Sequence, residues 1–198
     1  MGISKENWKH LMSTRSDMSS YVTHLTRESD KSDNPLDTLL KIIDDRKLIG
    51  SNNKGFIQGS ERAVCFQDAP LSGIVQNVYQ NQVQESKIRY RGFGLMFSKD
   101  YAFKKGARPV IYETKEEARG KFPLELWRVV TFDLNDSTNF IDWTHEREWR
   151  AKGDFEFEIE ELIILIPNYV AYQQLIKELD KDILNNIQGI VQMAPINF

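Results

Sequence analysis

The chain has 198 residues and a net charge of -3, which excludes a global basic field that would draw the whole molecule onto nucleic acid. That length fits one domain with a sizeable core, so neither a disulfide nor a metal is needed to hold it. The lone Cys65 rules out an internal disulfide framework, and the scattered His10, His24 and His145 give no zinc spacing. The longest apolar run, "LIILIP" from Leu162, is far below spanning length, so a soluble cytoplasmic protein is expected.

In chain order, Trp8 and Leu11 mark a terminal helix, and "YVTHLT" (Tyr21 to Thr26) alternates β-formers as a short strand. The polar "TRESDKSDN" that follows reads as a surface loop. Leu36, Leu39, Leu40 and Ile43 then recur at helical spacing behind Asn34 as N-cap and Pro35 at the first helical position. "RAVCFQD" is a second strand, and Leu71, Ile74, Val75 and Val78 repeat the helical pattern. The Gly-punctuated "RYRGFGLMFS" returns to strand character, "KDYAFKKG" gives one or two helical turns ended by Gly106, and "RPVIYE" starts another strand where proline is tolerated.

The second half continues with "TKEEARGKFPLELW", weakly helical and broken by Gly120 and Pro123, the strand "RVVTFDL" and the loop "NDSTNF". "HEREWRAK" and "ELIILIP" are strand candidates. "YVAYQQLIKELDKDIL" is an amphipathic helix with Tyr172, Leu175, Ile176, Leu179 and Ile183 inward, and "GIVQMAPI" is a last strand. About seven strands among four or five helices, without strict alternation, predict an α+β fold. One domain spanning 1–198 is expected, an N-terminal helix over 1–20 followed by a core over 21–198.

The octapeptide "WTHEREWR" (Trp143 to Arg150) packs an imidazole, two carboxylates and two guanidiniums between two tryptophans. On a strand, Glu146, Glu148 and Arg150 would share one face and His145, Arg147 and Trp149 the other. Adjacent carboxylates raise one another's pKa and can divide proton handling from cation stabilisation. Equally, the segment can be a set of cross-strand ion pairs on a half-exposed strand. Cys65 in an apolar strand reads as an inert thiol. The glycines of "GFG" at Gly92 to Gly94 read as a bulge or close backbone approach rather than a phosphate loop. "FKKGAR" (Phe103 to Arg108) is a small basic cluster that reads as a solvated helix end whose lysines offset the dipole, and Lys99, Lys104, Lys105 and Arg108 with Tyr101 and Phe103 offer the alternative of a groove for single-stranded nucleic acid.

Three segments in order, "AVCFQDAPLS" (Ala63 to Ser72), "YRGFGLMFSKDYAFKKGARPVIY" (Tyr90 to Tyr112) and "HEREWR" (His145 to Arg150), resemble the AbiGi group of abortive-infection proteins over roughly residues 60 to 152. This chain has "RYRGFG" where the group's pattern has Tyr-Gly before its Tyr-Gly, so the role of Arg91 does not follow from the likeness. The layout is also similar, more distantly, to DarT-like ADP-ribosyltransferases. That resemblance implies a split mixed or antiparallel sheet with flanking helices and NAD as the substrate. It further implies that His24 on the first strand holds the ribose, that Glu148 is the catalytic carboxylate and that Glu146 aids the acceptor.

Cleaving the N-glycosidic bond of NAD builds positive charge at the ribose C1′, which a fixed carboxylate stabilises. Nicotinamide needs a flat partner, Tyr90 or Tyr101, and pyrophosphate needs donors, Arg62 or Arg91. Two functions follow from the resemblances. One is an NAD-using ADP-ribosyltransferase-like effector of phage defence or toxin-antitoxin conflict, modifying a protein or nucleic acid or hydrolysing NAD. The other is a non-catalytic, antitoxin-like binding protein that grips a protein partner or a nucleotide.

Overall fold

The computed structural model describes residues 2–26, 34–52, 56–84 and 91–196. Its contacts divide the chain into two compact units: Met1–Arg46, Ala69–Lys99 and Phe157–Phe198 form unit 1, and Lys47–Asp68 with Asp100–Glu156 form unit 2. The loop expected over "TRESDKSDN" lies, except for its two end residues, outside the described residues.

Unit 1 is built on a mixed sheet. β1 (Tyr21–Leu25) runs antiparallel to β4 (Gly94–Ser98), β4 antiparallel to β10 (Ile163–Ile166), and β10 parallel to β11 (Gly189–Gln192). β4 lies between two neighbours, and its first four residues are buried, so it reads as a continuous apolar run instead of an alternation. Alternation still decides the faces. Leu25, Met96 and Leu165 pack against Ile74, Val75 and Val78 of helix α3 (Leu71–Gln84), and Val22 and His24 of β1 therefore point to the opposite face.

Helix α1 (Lys5–Ser13) is capped by Ser4, and α2 (Pro35–Asp45) by Asn34, whose side chain accepts from the Leu36 amide with Pro35 in the first turn. α2 buries Leu36, Leu39 and Ile43, as the spacing predicts. The single C-terminal helix expected over 169–184 is two, α6 (Tyr169–Glu178) and α7 (Lys181–Asn186). Leu179 turns to extended backbone, and the Asp180 side chain accepts from the Asp182 amide to start afresh. β11 stops at Gln192, short of the strand expected to Ile196, and a 3-10 turn follows over Ala194–Ile196.

The GFG glycines meet a close approach. A Cβ on Gly94 would lie 2.6 Å from the His24 carbonyl oxygen, and Gly92 has φ +78 against Pro167.

Unit 2 holds a three-stranded antiparallel sheet in which β8 (Glu148–Lys152) lies between β3 (Ala63–Gln67) and β5 (Arg108–Pro109). Pro109 sits at the edge, opposite Trp149. β6 (Ile111–Glu113) pairs in parallel with β7 (Val129–Thr131), and β2 (Lys47–Leu48) pairs with β9 (Phe155–Glu156). The strand expected over "RPVIYE" is interrupted because the Val110 amide turns to the Glu148 carbonyl, so β5 and β6 join different partners. α4 (Lys99–Lys104) is followed by Gly106 at φ +97. Thr114 caps α5 (Lys115–Lys121), which runs through Gly120 and ends before Pro123. The mixed sheet and helices agree with an α+β class at that level.

Candidate functional site

The late acidic segment is not one strand. Thr144–Glu146 is a 3-10 turn, Arg147 takes a left-handed backbone at φ 45, and β8 begins only at Glu148. Glu146 therefore does not share a strand face with Glu148, and the expected pair of flanking carboxylates does not form that way. Glu148 and Arg150 do share a face, and across from them in register are Gln67 and Cys65.

Both are buried, Glu148 at 8 % exposure and Arg150 at 1 %. The Arg150 guanidinium donates from Nε to Glu148 Oε1 at 2.7 Å and from its second amino group to Oε2 at 3.2 Å, a bidentate pair. Its remaining nitrogen donates to the carbonyl oxygens of Trp127 and Val129, each at 3.0 Å. Burial alone would lower the Arg150 pKa, but the Glu148 charge and hydrogen bonds outweigh it and hold the arginine above its ordinary range. This charge-assisted arrangement ties β8 to the 3-10 turn Leu126–Arg128 and the start of β7.

Tyr112 completes the surround. Its hydroxyl accepts from the Glu148 amide at 3.2 Å, and burial first, with the nearby Glu148 and Glu146 charges, pushes its pKa upward. A raised folded-state pKa means that this tyrosine's contribution to stability is full below its unfolded value near 10 and is lost as pH rises toward the folded value. Ultraviolet titration of the phenolates should therefore show a late step, above the ordinary tyrosine range, from Tyr112. That late step should vanish in Tyr112→Phe; a titration of the variant that keeps it would assign the shift to another residue.

The other expected site residues are spread between the units. His24, half-buried beside Leu95 in register, and Arg91, half-buried before Gly92, belong to unit 1. Arg62 belongs to unit 2, where Nε donates to the Gly50 carbonyl at 3.0 Å and the guanidinium pairs with Asp154. That engagement closes the turn between β8 and β9 onto the segment before β3, a structural task. Tyr101 stands edge-on to Phe155 at 6.4 Å with Lys105 Nζ 5.8 Å from its ring centroid. Tyr90 lies outside the described residues.

In the basic cluster, Arg108 stacks 3.7 Å from the Phe103 centroid and donates to the Phe103 and Ala107 carbonyls, closing the end of α4. Arg108 thus sits at the C-terminal end of α4, whereas Lys99 opens that helix and is buried. Trp149 donates Nε1 to Asp68 at 3.1 Å, and Cys65 packs half-buried against Ile57, Ala63 and Trp127.

Sequence reasoning missed a concave feature of unit 2, a cleft of about 350 Å³. Lys115 and Arg119 of α5 line one side and Phe56, Ile57, Gln58 and Gly59 another, with Leu126 and Thr131 completing it. Ile57 is buried against Trp127 and Ala63, so the apolar floor is continuous with this unit's core. Gly59 at φ +81 occupies a backbone region that side chains rarely adopt, and a Cβ there would press on Leu126 at 3.1 Å. The signal available in the sequence was the Lys115 and Arg119 spacing, which places both on one helix face. Nothing in the sequence placed Phe56 to Gly59 opposite them.

Among the described residues no group of three or more His, Cys, Asp or Glu side chains could hold a metal ion, and no helix is long and apolar enough to cross a membrane. No family model, curated protein or solved structure matches the chain.

Proposed function

We propose that this chain acts by binding and not by turnover, as an antitoxin-like or conflict-associated protein of phage defence or of a toxin-antitoxin pair that grips a protein partner or a nucleotide. The conflict setting rests on the resemblance of the three ordered segments. The choice of binding over catalysis rests on Glu148. A transferase carboxylate must reach the ribose 2′-hydroxyl while charge grows at C1′. Glu148 instead has both oxygens engaged by Arg150 and is almost wholly buried, while Glu146 lies off the strand. NAD, in this reading, is at most a bound nucleotide.

The test is incubation of the purified protein with NAD while nicotinamide release is followed, beside a Glu148→Gln variant whose fold is checked by circular dichroism. Neither protein should release nicotinamide. Release by the wild type that disappears in the folded variant overturns the proposal in favour of an NAD-cleaving transferase.

A further inference from the structure

Lys115 and Arg119 stand one helical turn apart on α5 and both face the unit 2 cleft. Like charges at this spacing repel, so two cations left together on one face call for a counter-charge. Two of the nearby acids, Glu113 and Glu117, are engaged elsewhere. Lys121 takes Glu113 at 3.3 Å and Glu117 at 3.0 Å, and among the described residues neither Lys115 nor Arg119 forms an ion pair. Among the described residues no carboxylate lines the cleft. In a chain of net charge -3, this is a local inversion of sign.

The opposite wall supplies different chemistry. Phe56 is 63 % exposed, an unusual position for a phenyl ring, and tilts against Trp143 at 6.4 Å, which in turn lies 5.9 Å from His145. An exposed ring at a cleft wall is a stacking surface for another flat ring. In the same lining, Gln58 Nε2 donates to the Thr131 hydroxyl at 3.2 Å. The Thr131 hydroxyl hydrogen and the Gln58 amide oxygen remain for a ligand's polar edge.

From these groups together we infer that the cleft bounded by α5, Phe56 to Gly59 and Thr131 binds a mononucleotide, with its phosphates on Lys115 and Arg119 and its base against Phe56. The volume of about 350 Å³ lies at the small end of the range for small-molecule sites, which favours a mononucleotide over an extended strand. Arginine and lysine divide phosphate recognition as fork and point charge. The ligand class rests on the binding reading above, but the site lies in residues that reading does not use.

The probe is ADP, titrated into the full chain by calorimetry, with adenosine and inorganic phosphate as separate arms. Wild-type protein should bind ADP more tightly than either fragment. The Lys115→Gln/Arg119→Gln double variant, altered only at exposed positions, should bind ADP roughly tenfold more weakly or worse, with an unchanged melting temperature. Phe56→Ala should weaken ADP and adenosine while sparing phosphate. An ADP affinity unchanged in the double variant, or no ADP binding by the wild type at millimolar concentration, overturns the inference. Nicotinamide release is measured separately. Release with ADP binding intact sinks the non-catalytic reading and leaves the cleft standing, whereas intact NAD with no ADP binding sinks the cleft alone.

Discussion

Replacing Arg150 with methionine should lower the unfolding free energy by about 3–5 kcal/mol, the cost typical of removing one partner from a buried ion pair. The substitution leaves the Glu148 carboxylate without its bidentate donor and leaves the Trp127 and Val129 carbonyls without theirs. Against a typical total of about 5–15 kcal/mol, that loss decides whether the protein is folded at 37 °C. A double variant, Glu148→Leu with Arg150→Met, removes both charges and should recover part of the loss, because no orphan charge is buried. Urea denaturation of the three proteins reads the difference. A single variant within about 1 kcal/mol of wild type would show that the pair is not structural and would return Glu148 to candidacy as a chemical group.

Gly50→Ala should be nearly as damaging, through backbone alone. A Cβ at this position would lie 2.1 Å from the Gly153 carbonyl oxygen and 3.1 Å from the Ala63 nitrogen, neither of which belongs to a flexible side chain. The segment must shift, and three hydrogen bonds shift with it. The Gly50 amide donates to Asp154 at 2.9 Å, its carbonyl accepts from Arg62 at 3.0 Å, and the Gly153 amide donates to the Arg62 carbonyl at 2.7 Å. Overpacking at about 1–3 kcal/mol, with roughly 1 kcal/mol for each hydrogen bond lost, predicts a drop of about 3 kcal/mol or more. Gly153→Ala is the control. That residue has φ +76 but open space for a Cβ, so only left-handed strain of about 1–2 kcal/mol applies. Thermal melts that rank Gly153→Ala as the worse variant would refute the close approach.

Local chemistry made the capped and amphipathic elements legible. Asn34 followed by Pro35 and the spacing of Leu36, Leu39 and Ile43 predict where α2 starts and which face it buries, since the cap, the fixed φ of proline and the buried stripe all act within a few positions. The same reasoning places β1, β3, β4 and β10 within a residue or two, apart from the start of β4, which lies five residues after the start of the strand expected from Arg89. It fails where a neighbour decides. β2 and β9 are two residues each, and their pairing depends on a contact between positions more than a hundred residues apart. The Val110 amide leaves its strand for a carbonyl on β8, which no periodicity at residues 108–113 could signal.

The candidate site shows the same division. Alternation correctly put Glu148 and Arg150 on one face, but it carried the strand back through Glu146, where Arg147 adopts the left-handed backbone that ends the 3-10 turn. Whether Glu148 serves chemistry or packing depended on burial and on the reach of Arg150, both properties of the folded unit. Arg62 was readable as a cation, yet its partner Asp154 lies across a turn that the sequence does not announce. The cleft was least legible because its two walls come from segments nearly sixty residues apart.

The outermost rung of the unit 2 sheet ends in Pro109, opposite Trp149. Because its ring nitrogen carries no hydrogen, a visiting strand finds one grip fewer along that margin, and the two-residue length offers little template. That margin is thereby a poor template for ribbon-like stacking between copies of the chain.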